Sequence, residues 1–182
     1  MLKNEFPQMM SLSGAQFRFR LMTVSDRGAI LVFAQNLSES DQLFMRRDIT
    51  QPEAIDAWLS DIEARRAITI MVEDEGKLIG YGTLYFNQLF WNRHLGEIRL
   101  LVSSPYRNWG IEARLVRELL RFADELALEK VVTYMAVEDK AARTNLESLG
   151  FRAEAILADW VKTRDDRTHD LLIMGLTLQE LH

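Results

Sequence analysis

Residues 96–128, "GEIRLLVSSPYRNWGIEARLVRELLRFADELAL", pass from strand to helix through a turn suited to anions. "GEIRLLVSS" reads as a strand ending at Val102. "GIEARLVRELLRFADELAL" is an amphipathic helix, with Ile111, Leu115, Leu119, Phe122 and Leu126 on one stripe and Arg and Glu opposite. A helix that begins straight after a strand and turn leaves several backbone N–H groups without intrahelical partners. Those groups and the positive end of the helix dipole suit a bound pyrophosphate. Gly110 allows close approach and uncommon dihedrals there. Asn108 and Glu112 are also ordinary helix-start chemistry, so this stretch alone reads equally as a capped helix. Glu112 further sets a carboxylate where phosphate oxygens would want bare backbone.

Upstream, residues 1–15 read as an N-terminal tail and "QFRFRLMT" as a strand with one buried face. Ser25-Asp26 opens a helix to about Gln35, and a long polar connection with room for a short helical piece follows. A second helix spans about Pro52 to Arg65, with Ala54, Ile55, Trp58, Leu59 and Ile62 on one stripe. "AITIMVEDEGKLIGYGTLYF" is a hairpin about its Asp-Glu-Gly turn. Downstream come the strand "KVVTYMAV", the helix "DKAARTNLESLG" stopped by Gly150, and a hairpin around "RDDR". The order β-α-α-β-β-β-α-β-α-β-β predicts an α/β (α+β) fold: one mixed sheet flanked by helices in a single domain, residues 16–178.

Bulk properties narrow the classes. The 182 residues are 48% hydrophobic and 27% charged, with a formal net charge of −5 and no cysteine. Disulfides, thiolate catalysis and cysteine-based zinc sites are therefore excluded. The net charge lends no support to a nucleic-acid partner, and no apolar run reaches the ~18 residues of a membrane span. Residues 1–15 lack the apolar core of a signal peptide, so a cytoplasmic home is the simplest reading. His94, His169 and His182 lack metal-site spacing, so no metal is expected. "GYGTLY" fails the dinucleotide pattern, and neither a P-loop nor a G-x-S-x-G elbow is present.

The strand, "V-x-x-x-x-R-x-x-G" and amphipathic helix resemble the acetyl-CoA motif of the GNAT superfamily of N-acetyltransferases. That pattern is Arg or Gln, two residues, Gly, one residue, then Gly or Ala; Arg107 and Gly110 fall on it after Val102, and Glu112 departs from it. "AARTNLESLGF" is similar to the family's "A-x-x-L-Y-E-K-L-G-F" helix at Ala142, Glu147, Leu149, Gly150 and Phe151. The closing hairpin resembles the family's last two strands. The resemblance covers about residues 16–178. It implies acetyl-CoA as cosubstrate, held by Leu101, Val102, Arg107, Asn108, Trp109, Gly110, Ile111, Glu112, Ala113 and Arg143. An amine acceptor is the other partner, attacking the thioester directly in a ternary complex. The alternative is a degenerate family member that binds coenzyme A or another ligand, or acts as a scaffold, without turnover.

The family often protonates the leaving thiolate with a tyrosine where this chain has Leu146, and Asp139 replaces a common asparagine. Glu112 is expected to cap its helix and turn outward, its charge offset by Arg107, Arg114 and Arg143. Glu97, five residues before Val102, stands where some members carry a general base, but alternation also pairs it with Arg99. His94 is a second candidate base or a solvated loop histidine. Tyr134 and Tyr85 are candidate acids or packing residues. Phe90, Trp91 and Phe44 line an acceptor pocket or a homodimer contact. Arg46 and Arg47 read an acidic acceptor or are simply solvated, and Trp160 is pocket wall or packing.

Overall fold

The computed structural model describes residues 2–43 and 45–178. Its strands are β1 (Gln8–Leu12), β2 (Ala15–Leu21), β3 (Ala67–Asp74), β4 (Lys77–Phe86), β5 (Leu95–Val102), β6 (Lys130–Ala136), β7 (Arg152–Lys162) and β8 (Thr168–Thr177). They form one eight-stranded sheet in the order β1-β2-β3-β4-β5-β6-β8-β7. Among the described residues, only β5 and β6 pair in parallel. The helices are α1 (Arg27–Gln35), α2 (Glu39–Leu43), α3 (Pro52–Glu63), α4 (Ile111–Glu125) and α5 (Lys140–Ser148). The sheet and helix order expected from periodicity is present, as a single mixed α/β domain. No helix among the described residues is long and apolar enough to cross a membrane.

One element differs from the expectation. Residues 8–12 form β1, hairpin-paired to β2 from Gln8↔Phe19 to Leu12↔Ala15, where a tail was expected. Only Met10 of that strand is buried, so its alternation carries a weak apolar signal. The polar connection after α1 carries the short helical piece it had room for, α2.

The helices cover the two faces of the sheet. On one, Ile111, Leu115, Leu119 and Phe122 of α4 and Leu146 of α5 pack with Phe17, Ile98 and Val102. On the other, Ile30 and Phe33 of α1 and Ile55 and Trp58 of α3 pack with Met71, Tyr81, Tyr85 and Leu101. β3 lies between these cores and is buried at seven of its eight positions. A Cβ on Gly82 would come within 2.8 Å of Leu100 and 3.0 Å of Leu119, so this glycine lets α4 lie close against the sheet.

β5 positions the site. Its ladder with β4 is continuous from Gly80↔Val102 to Phe86↔Gly96. Its ladder with β6 ends at Glu97↔Val132. Ser103 N donates to Ile79 O at 3.0 Å. By strand alternation, Leu101 and Arg99 then turn their backbone groups toward β4, while Leu100 and Val102 turn theirs toward β6. The β5–β6 ladder has already stopped there, so a gap opens inside the sheet.

Candidate active site

The upper end of the gap is the turn from β5 into α4. Gly110 is the helix N-cap, left-handed at φ 82, and no side chain caps the helix. A Cβ on Gly110 would meet nothing within 4 Å. Asn108 is also left-handed, at φ 68. The amides of Ile111, Glu112 and Ala113 thus start a fifteen-residue helix without a side-chain acceptor, which is anion-binding geometry. Trp109 stands edge-on to Phe17, ring centroids 5.8 Å apart, and anchors the turn to the core.

A residue missed in the sequence holds this turn in place. Asp41 of α2 is buried; its carboxylate accepts from Ser104 N at 3.1 Å, Ser104 Oγ at 2.6 Å and the Arg107 guanidinium. Burial opposes its charge, yet the Ser104 and Ser38 hydrogen bonds and Arg107 hold its carboxyl below the usual value. The only sequence signal was Ser38, whose hydroxyl accepts from Asp41 N at 3.1 Å in a helix-start pattern. The Arg107 guanidinium thus pairs with α2 through one terminal nitrogen.

Glu112 does not turn out into solvent as expected. It is half-buried, and burial raises its carboxyl above the usual value; Arg107 pulls it down in part and the Asp139 charge raises it further. Two of the arginines expected to offset it are engaged elsewhere, Arg114 with Glu118 at 2.6 Å and Arg143 with Glu147 at 2.8 Å. Asp139 is the N-cap of α5, accepting from Ala142 N at 3.0 Å. Leu146 is core, as its side chain predicts.

The other end of the gap opens on the α1–α3 face. Alternation puts Glu97, Arg99 and Leu101 of β5 on that face with Tyr85 and Tyr81 of β4, through the pairs Tyr85↔Glu97 and Tyr81↔Leu101. Tyr134 of β6 joins them, two positions past the last β5–β6 pair. The expected Glu97–Arg99 pair forms, with Arg99 Nε 2.7 Å from Glu97 Oε1. Arg46, from the connection after α2, reaches the same Glu97 oxygen and stacks over Tyr134 at 4.5 Å. Arg99 stacks over Tyr85 at 4.5 Å and Arg47 at 5.7 Å. Burial raises the Tyr134 hydroxyl and Glu97 adds to it, against Arg46 and Arg99. Burial likewise raises Tyr85. Both phenols keep their protons at neutral pH and so have one to donate.

The remaining candidates sit elsewhere. His94, Phe90 and Trp91 lie in the β4–β5 connection at the start of β5. At ~3.3 Å per strand residue, that is the far end of the strand from the cradle. His94 and Trp91 border a separate cavity of about 500 Å³ with Arg93 and Glu129. His94 borders that cavity, and Phe90 and Trp91 stand exposed. Trp160 is exposed on edge strand β7 and neither walls the gap nor packs in a core. Phe44 lies outside the described residues. Among the described residues, no group of three or more His, Cys, Asp or Glu is placed to hold a metal ion.

Comparison with known proteins places this geometry. The model of the Acetyltransferase (GNAT) family matches residues 33–151. A curated Bacillus subtilis (strain 168) protein, provisionally named a phosphinothricin acetyltransferase, is 22% identical over 162 residues, covering 87% of this chain and 98% of that protein. A GNAT-family acetyltransferase structure from Streptococcus pneumoniae superposes with a TM-score of 0.76 at 18% identity, over 88% of this chain and 99% of that one. Spermidine N-acetyltransferase from Vibrio cholerae, in complex with CoA and spermine, gives 0.74 at 19% identity, over 90% and 96%.

Proposed function

The chain belongs to the acetyltransferase (GNAT) family, and on that premise we propose an N-acetyltransferase that moves the acetyl group of acetyl-CoA to an amine held on the α1–α3 face. One observation carries the reading. The gap beside Leu100 and Val102 joins an uncapped helix N-terminus at one end to Glu97, Arg99 and Tyr134 at the other. The cradle fits a pyrophosphate through the backbone of Asn108 to Ala113, with the Glu112 carboxylate and the Asp139 charge near it in opposition.

Coenzyme A supplies the acetyl group as a thioester. The Leu100 and Val102 amides, turned into the gap, are placed to donate to the carbonyl oxygen on which charge develops. Leu101 is not, because alternation turns its backbone to β4. A bound ammonium must first lose a proton, and Glu97 takes it through Oε2, the oxygen that Arg46 and Arg99 do not approach most closely. The nitrogen–carbon bond forms as the carbon–sulfur bond breaks. The second nitrogen proton leaves to water with amide formation, Tyr134 gives the sulfur its proton in place of the tyrosine lost at Leu146, and the proton on Glu97 restores the Tyr134 phenol through solvent. One proton is released overall.

Calorimetric titration with acetyl-CoA, with Glu112→Gly in parallel, tests the cradle; thiol release with an amine panel tests transfer. Micromolar binding and amine-dependent thiol release are expected. Binding without thiol release from any amine would instead favour a family member that holds coenzyme A without turnover. The half-buried Glu112 carboxylate is the observation on that side.

A further inference from the structure

The acceptor face carries positive charge that its own residues do not cancel. Arg46 and Arg99 share one carboxylate oxygen, Glu97 Oε1. Arg47 and Arg66 share Asp61, at 3.3 and 2.9 Å. Resting on the acetyltransferase reading above, we propose that the acceptor is an α-amino acid. Its carboxylate is held by Arg99 and Arg46, and its amino group sits against Glu97 at the mouth of the gap.

The geometry fits this chemistry in three ways. First, Arg99 spends only its Nε on Glu97; its terminal nitrogens make no hydrogen bond among the described residues. Those nitrogens form the edge of the guanidinium that matches a carboxylate with two parallel N–H···O bonds. Second, both guanidiniums lie over tyrosine rings at 4.5 Å, Arg46 on Tyr134 and Arg99 on Tyr85. A stacked guanidinium points its donors sideways along the cleft and is fixed before the ligand arrives. Third, Glu97 and Arg99 put opposite charges 2.7 Å apart. An α-amino acid carries its ammonium and carboxylate on one carbon, so the zwitterion meets this pair charge for charge. A polyamine would set further ammonium groups against Arg46 and Arg47, at a like-charge cost. The side chains of Arg46, Glu97 and Arg99 are each about a third exposed or less, so these charges act with less solvent screening than surface pairs.

Thiol release with matched pairs of amino acids and their carboxamides, and with spermidine, tests the proposal. The carboxamide amine is the less basic, so chemistry alone favours it at neutral pH. The expected result is a kcat/KM at least about tenfold higher for the acids, as a charge-assisted bidentate contact supports. That preference should collapse in Arg99→Gln and in Arg46→Gln, while an acetyl-CoA titration shows each variant still folded. Carboxamides or spermidine used as well as the acids, or a preference intact in both variants, overturns the amino-acid acceptor and leaves the transferase standing. Acetyl-CoA binding with no acetylation of any amine overturns both.

Discussion

At the residue scale Glu112 has the clearest consequence. Its folded pKa is raised, so the folded protein takes up a proton more readily there than the unfolded chain. Stability from this group is present below the unfolded pKa and is lost as pH rises through the folded one. Glu112→Gln does not titrate. The variant should therefore melt at higher denaturant than the native protein at pH 7.5, and the difference should vanish near pH 4. It should also bind acetyl-CoA about fivefold tighter or better, since a like charge at ~4 Å costs about 1 kcal/mol even in water. Asp41 has the opposite sign. Its folded pKa is lowered, so its contribution is present above the unfolded pKa and fades as pH falls through the folded one. Asp41→Asn should cost about 1–3 kcal/mol at pH 7 and progressively less on acidification, by urea melts at each pH. Sequence flagged Glu112 because it breaks a motif. Of Asp41 it gave only the Ser38 helix start, because the partners Ser104 and Arg107 lie 63 and 66 residues away along the chain.

At the element scale, long amphipathic segments were legible and short ones were not. The stripe from Ile111 to Phe122 is a helix with its apolar side inward, and Leu115 is fully buried at its centre. Leu115→Ala should cost about 2–5 kcal/mol by chemical denaturation. β1 escaped reading because "QMMSL" buries one side chain, so pairing to β2 rather than burial makes it a strand. Glycines in β4 mark another element-level constraint. A Cβ on Gly80 would lie 2.9 Å from Leu101 O, a backbone atom that cannot step aside. Gly80→Ala should strain the β4–β5 ladder and lower stability by about 1–3 kcal/mol, read from the thermal midpoint and its enthalpy.

At the scale of the whole molecule, the element order and the family were legible because three partial motifs occur in the right sequence. The acceptor face was not. Arg46 and Arg47 read in sequence as readers of an acidic acceptor or as a solvated pair, and only the fold lays Arg46 on Tyr134 and carries Glu97 between two guanidiniums. His94 and Trp91 attracted attention by residue type, while topology put them at the opposite end of β5. The ladder that stops at Glu97↔Val132 leaves Leu100 and Val102 near the middle of an eight-stranded sheet without a strand on one side. Deuterium should therefore enter these two amides far sooner than the neighbouring Leu101, and a ligand lying in the gap should slow them selectively. The centre of the sheet would then report occupancy through its exchange clock, with no label attached and no turnover required.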